Sequence, residues 1–462
     1  MKISVSGIGI LDEAEFSLGK MTIICGENNT GKTYATYALF GFLSYWREVF
    51  SIEIDEKDIT SLLNEGILHL NINTYIDRSE QIIDSCCKAY SNQLSMVFAA
   101  QKDRFEGSSF IIKLHKDELK PLENFERRFQ SSKSDLFMLS KNKDSHNLTV
   151  TLLGEKTNLL VPKEVVRKII GDALKDIVFS DIFPRPFIAS AERTGVAIFR
   201  KELNFARNRL LEEMSQADKK VDPFDLLFKV YKDYALPVKK NVEFTRDLES
   251  IANQTSYIEK EHPEILNDFA DIIGGSYAVS REDQLIFEPK GNKKIKLSMD
   301  ESSSAVRSLL DIGFYIRHVA KLGDLLIVDE PELNLHPKNQ RRIARLFARL
   351  VNIGINVFIT THSDYIVKEL NTLILLSINT PRLNRLAERE GYRSCEFIIA
   401  EGVNVYIAEK SLNYFGNGKR KTWRNTFVKA EVSDDHGIEI SSFDATIDDM
   451  NRIQDEIVWG DD

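Results

Sequence analysis

A short apolar run that leads into a glycine-bounded loop constrains this chain more than any other feature. Residues 21–25 read MTIIC, and residues 26–33 read GENNTGKT, which fits the pattern G-x-x-x-x-G-K-[ST]. In such a loop the glycines allow a tight turn, and backbone N–H groups face phosphate oxygens. The helix that should follow adds its partial positive charge. The sequence therefore predicts a phosphate-binding loop lined by Gly26, Asn28, Asn29, Thr30 and Gly31.

The two residues that close this loop have specific expected roles. Lys32 is predicted to reach the β- and γ-phosphates of a nucleotide, and Thr33 to place its hydroxyl on Mg²⁺. A plain structural turn is the alternative, but a buried strand before the loop and a helix after it favour phosphate binding. We therefore expect ATP and Mg²⁺ as ligands.

A second apolar run ends in two adjacent carboxylates. Residues 324–330 read DLLIVDE. Asp329 is predicted to lie in the Mg²⁺ shell. Glu330 is predicted to orient or deprotonate the attacking water. Because neighbouring side chains on a strand point to opposite faces, the turn after Val328 must redirect one of the two. A strand end with solvated acids is the alternative, which a phosphate-binding loop in the same chain disfavours.

The region 301–378 alternates between helical and strand patterns. We expect helices at 303–322, 337–352 and 363–370, and strands at 324–330, 355–362 and 372–377, the last of which reads TLILLS. Short connections between such elements imply a parallel sheet with helices on its faces. His362 then lies at the carboxyl end of the strand after Asp329 and Glu330, where ligands bind. It is predicted to contact the γ-phosphate.

Composition limits the class of protein. The 462 residues carry a formal net charge of -9, and 43% of them are hydrophobic, which suffices for two or three domains with cores. Four scattered cysteines exclude a disulfide framework or a Cys-rich zinc site and favour the cytoplasm. We find no signal peptide and no run of about 18 uncharged apolar residues, so no membrane span is expected.

Changes of pattern along the chain suggest four segments. Residues 1–45 carry strands and the loop, 46–185 form a mixed α/β insert, 186–380 hold the second half of the α/β core, and 381–462 hold strands and a final polar helix from about 443. Helices are also expected at 199–214 and at 222–236, before Pro237, and strands at 396–402, 403–409 and 426–432.

The stretches GENNTGKT, LLIVDEPELNLHP and ITTHSDYI together resemble the ABC-type ATPases of the RecF, SMC and OLD group. Within that group the sequence is most similar to compact ATPase subunits of bacterial anti-phage systems such as Septu and PARIS. The resemblance covers about 1–45 and 186–378. It implies an α/β fold: an ABC-type P-loop head with a mixed β N-terminal lobe, a parallel sheet core and a mixed α/β insert.

The same resemblance implies that two heads enclose two ATP molecules, each site completed by a signature serine of the other head. Ser303 and Ser304 are the candidates for that contact, although Ala305 stands where the family often has glycine. A helix N-cap is compatible with this role. Asn334 and His336 fall in the loop expected to meet the partner head. No glutamine loop can be placed.

The stretch SAERTG at 190–195 resembles a recurring strand-end motif of these ATPases. Glu192 or Arg193 is expected either near the nucleotide or the dimer seam, or else in an ion-paired loop, and the sequence leaves both interpretations open.

Three basic clusters could contact nucleic acid or could be solvated faces. The one that includes an aromatic residue is the best candidate. The clusters are Lys290/Lys293/Lys294/Lys296, Arg341/Arg342/Arg345/Arg349, and Lys419/Arg420/Lys421/Arg424 with Trp423.

Two functions follow from the resemblance. The first is an ATPase sensor or scaffold that forms a homodimer or higher homo-oligomer and controls a separately encoded effector, a nuclease or a toxin, in anti-phage defence. The alternative is a RecF-like DNA-binding repair ATPase. The acidic net charge and the absence of long heptad arms favour the first. No nuclease domain is expected in this chain. An ABC transporter ATPase fits poorly, since LSGGQ is missing.

Overall fold

The N-terminal strands form a small antiparallel lobe and then lead into the central sheet. The computed structural model describes residues 1–50, 52–130, 135–153, 162–199, 234–280, 284–292, 294–413, 421–439 and 450–457. The first elements are β1 (Lys2–Ile8), β2 (Leu11–Ser17), β3 (Met21–Cys25) and α1 (Lys32–Val49). β1 and β2 pair antiparallel and alternate buried with outer residues. β3 is buried throughout, as a strand covered on both faces requires.

The segment expected as an insert is joined to the N-terminal lobe by a strand and a helix. Its elements are α2 (Glu56–Glu65), β4 (Ile67–Asn71), α3 (Ile72–Asp77), α4 (Ser79–Ser91), α5 (Leu94–Val97), β5 (Ser109–Lys113), β6 (Phe125–Gln130), β7 (Asp135–Lys141), β8 (Asn147–Leu152) and α6 (Lys163–Phe179). Strands β4, β8, β7 and β6 form a four-stranded antiparallel sheet, in that order. Strand β5 pairs instead with β1 of the N-terminal lobe. Helix α1 also runs through the expected boundary at residue 45. The four-segment division stays a prediction, and this boundary is not marked by a break in the structure.

The next part of the chain contributes one strand to the central sheet, followed by short helices and a separate three-stranded sheet. Its elements are β9 (Pro186–Ala189), α7 (Arg193–Ile198), α8 (Leu236–Arg246), α9 (Leu248–Ile251), α10 (Tyr257–Glu261), α11 (Glu264–Ile273), β10 (Gly275–Val279), β11 (Leu285–Pro289), β12 (Leu297–Ser298), α12 (Ser304–Ser308) and α13 (Leu310–Phe314). The helix predicted at 199–214 and most of the one predicted at 222–236 lie outside the described residues. Pro237 lies in the first turn of α8, a position that tolerates proline.

The last part supplies the other core strands. Its elements are β13 (Leu325–Asp329), α14 (Pro337–Asn352), β14 (Asn356–Thr361), α15 (Asp364–Leu376), α16 (Pro381–Glu390), β15 (Val403–Asn413), β16 (Thr422–Lys429), β17 (Val432–Ser433) and β18 (Gly437–Ile438). Residues 450–457 are helical, which agrees with the final helix as far as it is described.

A six-stranded sheet joins these parts, with the order β16-β15-β3-β14-β13-β9. β15, β3, β14, β13 and β9 run parallel to their neighbours, and β16 pairs antiparallel with β15. Because the strands are parallel, the carboxyl ends of β3, β13, β14 and β9 lie at one edge, where the polar residues of the loop and the strand ends meet. The predicted α/β class, with a β lobe, a parallel core and a mixed α/β segment, is confirmed.

Two apolar clusters cover the two faces of this sheet. Side chains alternate across each strand, so Ile24 packs in one cluster and Ile23 in the other. The same alternation divides Ile327 from Val328 on β13. Helices α1 and α6 contribute to the first cluster, and α14 and α15 to the second. The sheet edge that carries the polar residues is therefore held rigidly between two cores.

Two strands predicted from apolar runs are wrong. TLILLS belongs to helix α15, because Leu373, Ile374 and Leu376 bury one face of a helix. A short apolar run does not distinguish a strand from a buried helix. Residues 396–402 form no strand either: Ser394–Glu396 and Ala400–Gly402 are 3₁₀ turns. There the backbone N–H of Ala400 donates to the side chain of Asp434 instead of to a neighbouring strand.

Three of the four arginines in the cluster of helix α14 pair with carboxylates within the fold, and Arg342 donates to the backbone carbonyl of Asp271. Arg341 and Arg345 each donate to the buried Glu369 of helix α15 at 2.5 Å. Arg349 is buried and pairs with Asp268 of helix α11. These carboxylates neutralise much of the charge that the sequence offered for nucleic acid, and they give the cluster a structural role between helices.

The lysine cluster near residue 290 is partly paired in the same way. Lys290 forms an ion pair with Asp271, and Lys296 lies 3.4 Å from the carboxylate of Glu288. Lys293 lies outside the described residues. These two pairs reduce the positive charge that this cluster presents.

In the described part of the chain, no helix combines the length and the apolarity needed to cross a membrane.

Candidate nucleotide-binding site

The loop between β3 and α1 has a backbone that glycine alone accommodates at two positions. Gly26 has φ 142°, and a Cβ there would overlap the carbonyl group of Ala408 on the neighbouring strand β15. Gly31 has φ 98°, and its Cβ would press on Leu11. Gly31 is also the N-cap of α1, so the N–H groups of the first helical turn have no partner within the helix. Such a turn is suited to phosphate oxygens.

Lys32 lies inside the loop that it follows. Its Nζ donates to the carbonyl oxygens of Gly26 at 2.8 Å and Glu27 at 2.7 Å, and Thr30 Oγ1 also donates to Glu27 O at 2.8 Å. Burial lowers the pKa of Lys32, against the opposing charges of nearby carboxylates. Asn28 and Asn29 are exposed at the tip of the loop. The ammonium group is thus held where phosphates would lie over the loop.

Thr33 and Asp329 form a pair of oxygen ligands suited to Mg²⁺. Thr33 Oγ1 donates to Asp329 Oδ2 at 3.2 Å across the sheet edge. Asp329 is 1% exposed, its other oxygen accepts from Thr360, and burial raises its pKa to about 6. The described residues hold no group of three or more His, Cys, Asp or Glu side chains placed for a metal. Mg²⁺ commonly uses one or two protein oxygens together with phosphates, so the pair fits this ion.

The backbone turns sharply after Asp329 and redirects Glu330. Glu330 has φ 51°, an uncommon value for a residue other than glycine, and its N–H donates to Thr360 O at 3.1 Å. Its side chain is 24% exposed, whereas Asp329 is enclosed. The two adjacent carboxylates therefore have different surroundings, as the sequence required. His362 Nδ1 lies 3.7 Å from Glu330 Oε1.

A residue that sequence analysis missed, Glu332, lies beneath His362. Glu332 Oε1 accepts from Thr361 Oγ1 at 2.9 Å and from the backbone N–H of His362 at 2.7 Å. His362 Nδ1 is 3.2 Å from the same oxygen. Glu332 is 6% exposed. The sequence shows that Glu332 lies two residues after Glu330. Its contact with His362 could not be predicted from that spacing, because it depends on the path of the turn at Glu330.

Arg193 is buried and hydrogen-bonds to backbone carbonyl oxygens, so it is not part of an ion-paired loop. Its guanidinium donates to four carbonyl oxygens at the ends of different elements, and the side chain is 1% exposed. The distances are 2.8 Å to Ser190, 2.6 Å to Asp329, 2.8 Å to Glu330 and 2.7 Å to Ser308. Burial lowers the pKa of Arg193, against the pull of neighbouring carboxylates. Arg193 thus fixes the backbone that carries Asp329 and Glu330.

Glu192 is exposed beside the same edge. Its Oε2 accepts from Tyr37 OH, on helix α1, at 2.9 Å. The charge of Glu192 also contributes to the raised pKa of Asp329, which places the two carboxylates near each other. Of the two interpretations open for the SAERTG stretch, this residue fits proximity to the phosphate-binding edge.

The residues expected to act across a dimer are on the surface. Ser303 is exposed and caps helix α12, its Oγ accepting from the N–H of Val306 at 3.3 Å. Ser304 is exposed in the first turn. Asn334, with φ 60°, and His336, the N-cap of α14, are exposed as well. The structure brings together the loop, the two carboxylates after β13 and the histidine after β14, but it does not bring these four residues into that group.

A sequence model of the AAA ATPase domain matches residues 1–367, well over half of the 462 residues. The chain belongs to the AAA ATPase domain family. It is therefore an ATPase, and the phosphate-binding loop and the polar strand ends lie within the matched span. No curated protein matches the sequence of this AAA ATPase.

Three solved structures of SMC heads are similar to this AAA ATPase. The SMC head domain with an extended coiled coil, bound to the C-terminal domain of ScpA and derived from Pyrococcus furiosus, is 13% identical, with 98% of each chain covered and a TM-score of 0.30. The SMC head domain from Thermotoga maritima is 10% identical, with 93% of this chain and 98% of that chain covered and a TM-score of 0.29. The SMC head bound to the C-terminal winged-helix domain of ScpA is 14% identical, with 80% and 90% covered and a TM-score of 0.30. TM-scores this low carry no argument about function.

Gly26→Ala should distort the phosphate-binding loop. Because the new Cβ would meet the Ala408 carbonyl at a φ that disfavours side chains, we expect about 1–3 kcal/mol of strain and weaker ATP binding. Gly195→Ala is the matched control, since its Cβ would meet no atom within 4 Å. Titration with a fluorescent ATP analogue measures the affinities. Equal affinity in both variants would contradict the assigned strain.

Asp311 should make stability depend on pH. It is buried on helix α13, and burial raises its pKa from 3.8 to about 7, against a hydrogen bond from Thr245 and the charge of Arg193. Between about pH 4 and 7 the folded state keeps a proton that the unfolded chain releases, so stability falls as the pH rises through this window.

Asp311→Asn removes this titration. The free energy of unfolding of the variant, relative to the wild type, should therefore increase from pH 5 to pH 7, by up to about 1.4 kcal/mol per pH unit, and level off above. Urea denaturation at each pH measures it. Asp117→Asn, at an exposed position, is the control and should show a constant difference. Parallel profiles for Asp311→Asn and the wild type would contradict the raised pKa.

Proposed function

We propose that this ATPase is the sensor or scaffold subunit of a bacterial anti-phage defence system, in which ATP joins two heads and controls a separately encoded effector. The observation that carries the ATP-dependent part is the meeting of Lys32, Thr33, Asp329, Glu330 and His362 at the carboxyl edge of one parallel sheet. The defence role rests on the resemblance of the phosphate-binding, carboxylate and histidine stretches to compact defence ATPases.

Each residue at the edge has a role that suits its surroundings. Lys32, held inside the loop, offsets the charge of the β- and γ-phosphates. Thr33 and Asp329 would hold Mg²⁺, which, when bound, neutralises charge on the phosphates. Glu330, partly exposed on its redirected backbone, orients the attacking water and accepts its proton. His362 contacts the γ-phosphate.

A second copy of the chain would complete the site. Ser303 and Ser304 are exposed on helix α12, whose other end reaches Arg193 through the carbonyl of Ser308. Asn334 and His336 are exposed on the loop after Glu330. These positions suit an ATP-dependent contact with a partner head, in which each head contributes serines to the nucleotide of the other. A homodimer is the smallest such assembly.

A RecF-like repair ATPase is the alternative, and one surface favours it. Trp423 is 69% exposed on strand β16 and follows Lys421 by two residues, and an exposed aromatic ring with a cation can bind a single strand of nucleic acid. Arg424, however, also lies 3.8 Å from the carboxylate of Asp12. Lys419 and Arg420 lie outside the described residues. The ion pairs of Arg341, Arg345 and Arg349 on α14 reduce the charge of a second basic cluster, which favours the sensor or scaffold.

Lys32→Ala and Glu330→Gln should separate binding from hydrolysis. Lys32→Ala removes the cation under the phosphates, so ATP binding and ATP-dependent dimerisation should be lost. Glu330→Gln keeps the shape but removes the base, so hydrolysis should slow by about 10²–10⁴-fold while ATP still binds and the dimer accumulates. Phosphate release and light scattering with ATP and Mg²⁺ measure the two effects.

The control for these variants is Glu401→Gln. Glu401 is exposed just before strand β15, at the opposite end of the sheet from the loop, so its charge should not affect hydrolysis. If Lys32→Ala and Glu330→Gln hydrolyse ATP at the rate of this control, the assignment of the site is wrong.

Purification of the trapped complex should distinguish the two candidate functions. We expect tagged Glu330→Gln protein, expressed from its native locus and purified with ATP and Mg²⁺, to retain a stoichiometric second protein. Mass spectrometry identifies that protein, and staining before and after nuclease treatment detects nucleic acid. Lys32→Ala, purified in parallel, should lose the partner if its binding depends on ATP. Nuclease-sensitive nucleic acid without a second protein would support the repair ATPase instead.

A further inference from the structure

Two arginine side chains fix the short helix α12, at whose start the serines Ser303 and Ser304 lie. At the carboxyl end of the helix, the carbonyl of Ser308 accepts from Arg193 Nε at 2.7 Å. Arg307, within the helix, donates through Nη1 to three carbonyls of the preceding loop, the shortest of these bonds being 2.7 Å. A helix of five residues is not stable by itself, so its position depends on such contacts with its surroundings.

Arg193 joins this helix to the turn that carries Glu330. Its Nη1 donates to the carbonyl of Asp329 at 2.6 Å and its Nη2 to that of Glu330 at 2.8 Å. The Nε of the same guanidinium holds Ser308. The side chain is 1% exposed, so these hydrogen bonds are largely shielded from water. Because a guanidinium is planar and rigid, its three nitrogens move as one body, and a displacement of the turn moves the donor that holds Ser308.

The residue after Arg193 contacts a second exposed element. Thr194 Oγ1 accepts from Asn334 Nδ2 at 3.4 Å. Asn334 lies on the loop after β13 that is proposed to meet the partner head, as Ser303 and Ser304 are. Both of these exposed elements are therefore bonded to residues 193–194, at the start of α7. An arginine that only supported the turn after β13 would need no donor directed at α12.

We propose that Arg193 is a positioning residue that couples the nucleotide site of one head to the serines that this head offers to its partner. Binding of ATP, with Mg²⁺ at Thr33 and Asp329, stabilises the turn after β13, and Arg193 transmits this stabilisation to α12. The contact of Ser303 and Ser304 with a partner head rests on the proposed function. The stabilisation of α12 by ATP is a property of the single chain, so the two parts are tested separately.

The first test is hydrogen–deuterium exchange of α12 in the wild-type monomer. Mass spectrometry follows the peptide with residues 303–309, with and without a saturating non-hydrolysable ATP analogue and Mg²⁺, at a concentration at which light scattering shows monomers. Because opening of α12 breaks the bond between Arg193 and Ser308, we expect the analogue to slow this exchange by about fivefold or more. Helix α16, which has none of these contacts, is the control. Unchanged exchange of α12 overturns the proposal, and this measurement requires no variant to fold.

Arg193→Lys and Arg307→Lys form a matched pair of variants for the same measurement. Each keeps the positive charge but replaces a planar group of donors by one ammonium, so each weakens the hold on α12. Only Arg193 also contacts Asp329 and Glu330. We therefore expect the analogue to slow exchange of α12 in Arg307→Lys, and to change it by less than about twofold in Arg193→Lys. The same response in both variants, whether kept or lost, would contradict a coupling through Arg193.

A double-mutant cycle on dimerisation tests the link to the serines. With saturating analogue, Arg193→Lys should weaken the dimer by about 5- to 150-fold, measured by light scattering. The background Ser303→Gly with Ser304→Ala lacks both hydroxyls but keeps a permissive N-cap, and there Arg193→Lys should have less than about twofold further effect. An equal effect in both backgrounds would contradict the link to the serines. If the wild type forms no dimer with the analogue, the proposed function fails, and the exchange of α12 still decides the role of Arg193.

Discussion

The alignment of β13 with β14 is the constraint on which the site depends. Asp329 pairs with Thr360 in the parallel register, so the hydroxyl of Thr360 reaches the carboxylate of Asp329 and its carbonyl accepts from the N–H of Glu330. A shift of one residue would turn each of these side chains to the other face of the sheet. The burial of β13 and β14 between two apolar clusters fixes that register. The polar residues at the edge are thus positioned by the apolar side chains of β13 and β14, which alternate between the two clusters.

The buried guanidinium of Arg193 extends this constraint beyond the sheet. A charge removed from water must be compensated by hydrogen bonds, and here four of the five guanidinium N–H groups donate to backbone carbonyls. Two of those carbonyls belong to Asp329 and Glu330, at a turn whose positive φ is unfavourable without support. The electrostatic requirement of the arginine and the conformational requirement of the turn are met by the same hydrogen bonds. The hydrogen bonds from Arg193 thus stabilise the positive φ of Glu330 and fix the position of its carboxylate.

Site residues that directly follow a strand can be predicted from the sequence. Site residues whose role depends on tertiary contacts cannot. Gly26, Asp329 and His362 stand at strand ends and Lys32 begins the helix after the loop, all in recognisable patterns, and the structure places them at one edge. The contact of Glu332 with His362 depends on a turn in which Glu330 adopts a positive φ, and no spacing rule predicts that path. The sequence leaves Arg193 between two interpretations because its carbonyl partners come from segments far apart in the chain. The strand prediction for TLILLS is wrong because a short apolar run lacks a period that separates a strand from a buried helix.

The electrostatics of the edge indicate why ATP should organise it. Asp329, Glu330 and Glu332 bring three carboxylates close to Lys32, and Glu192 adds a fourth near Asp329. The pKa of Asp329 is raised because burial and the charges of Glu330 and Glu192 oppose its ionised form. A divalent cation at Thr33 and Asp329 would favour the ionised form of that carboxylate. The site without ligand therefore carries a local excess of negative charge that Mg²⁺ relieves, and Lys32, now bound to loop carbonyls, has phosphate oxygens as stronger acceptors. Binding of ATP with a divalent cation would therefore reduce the repulsion among the carboxylates at this edge.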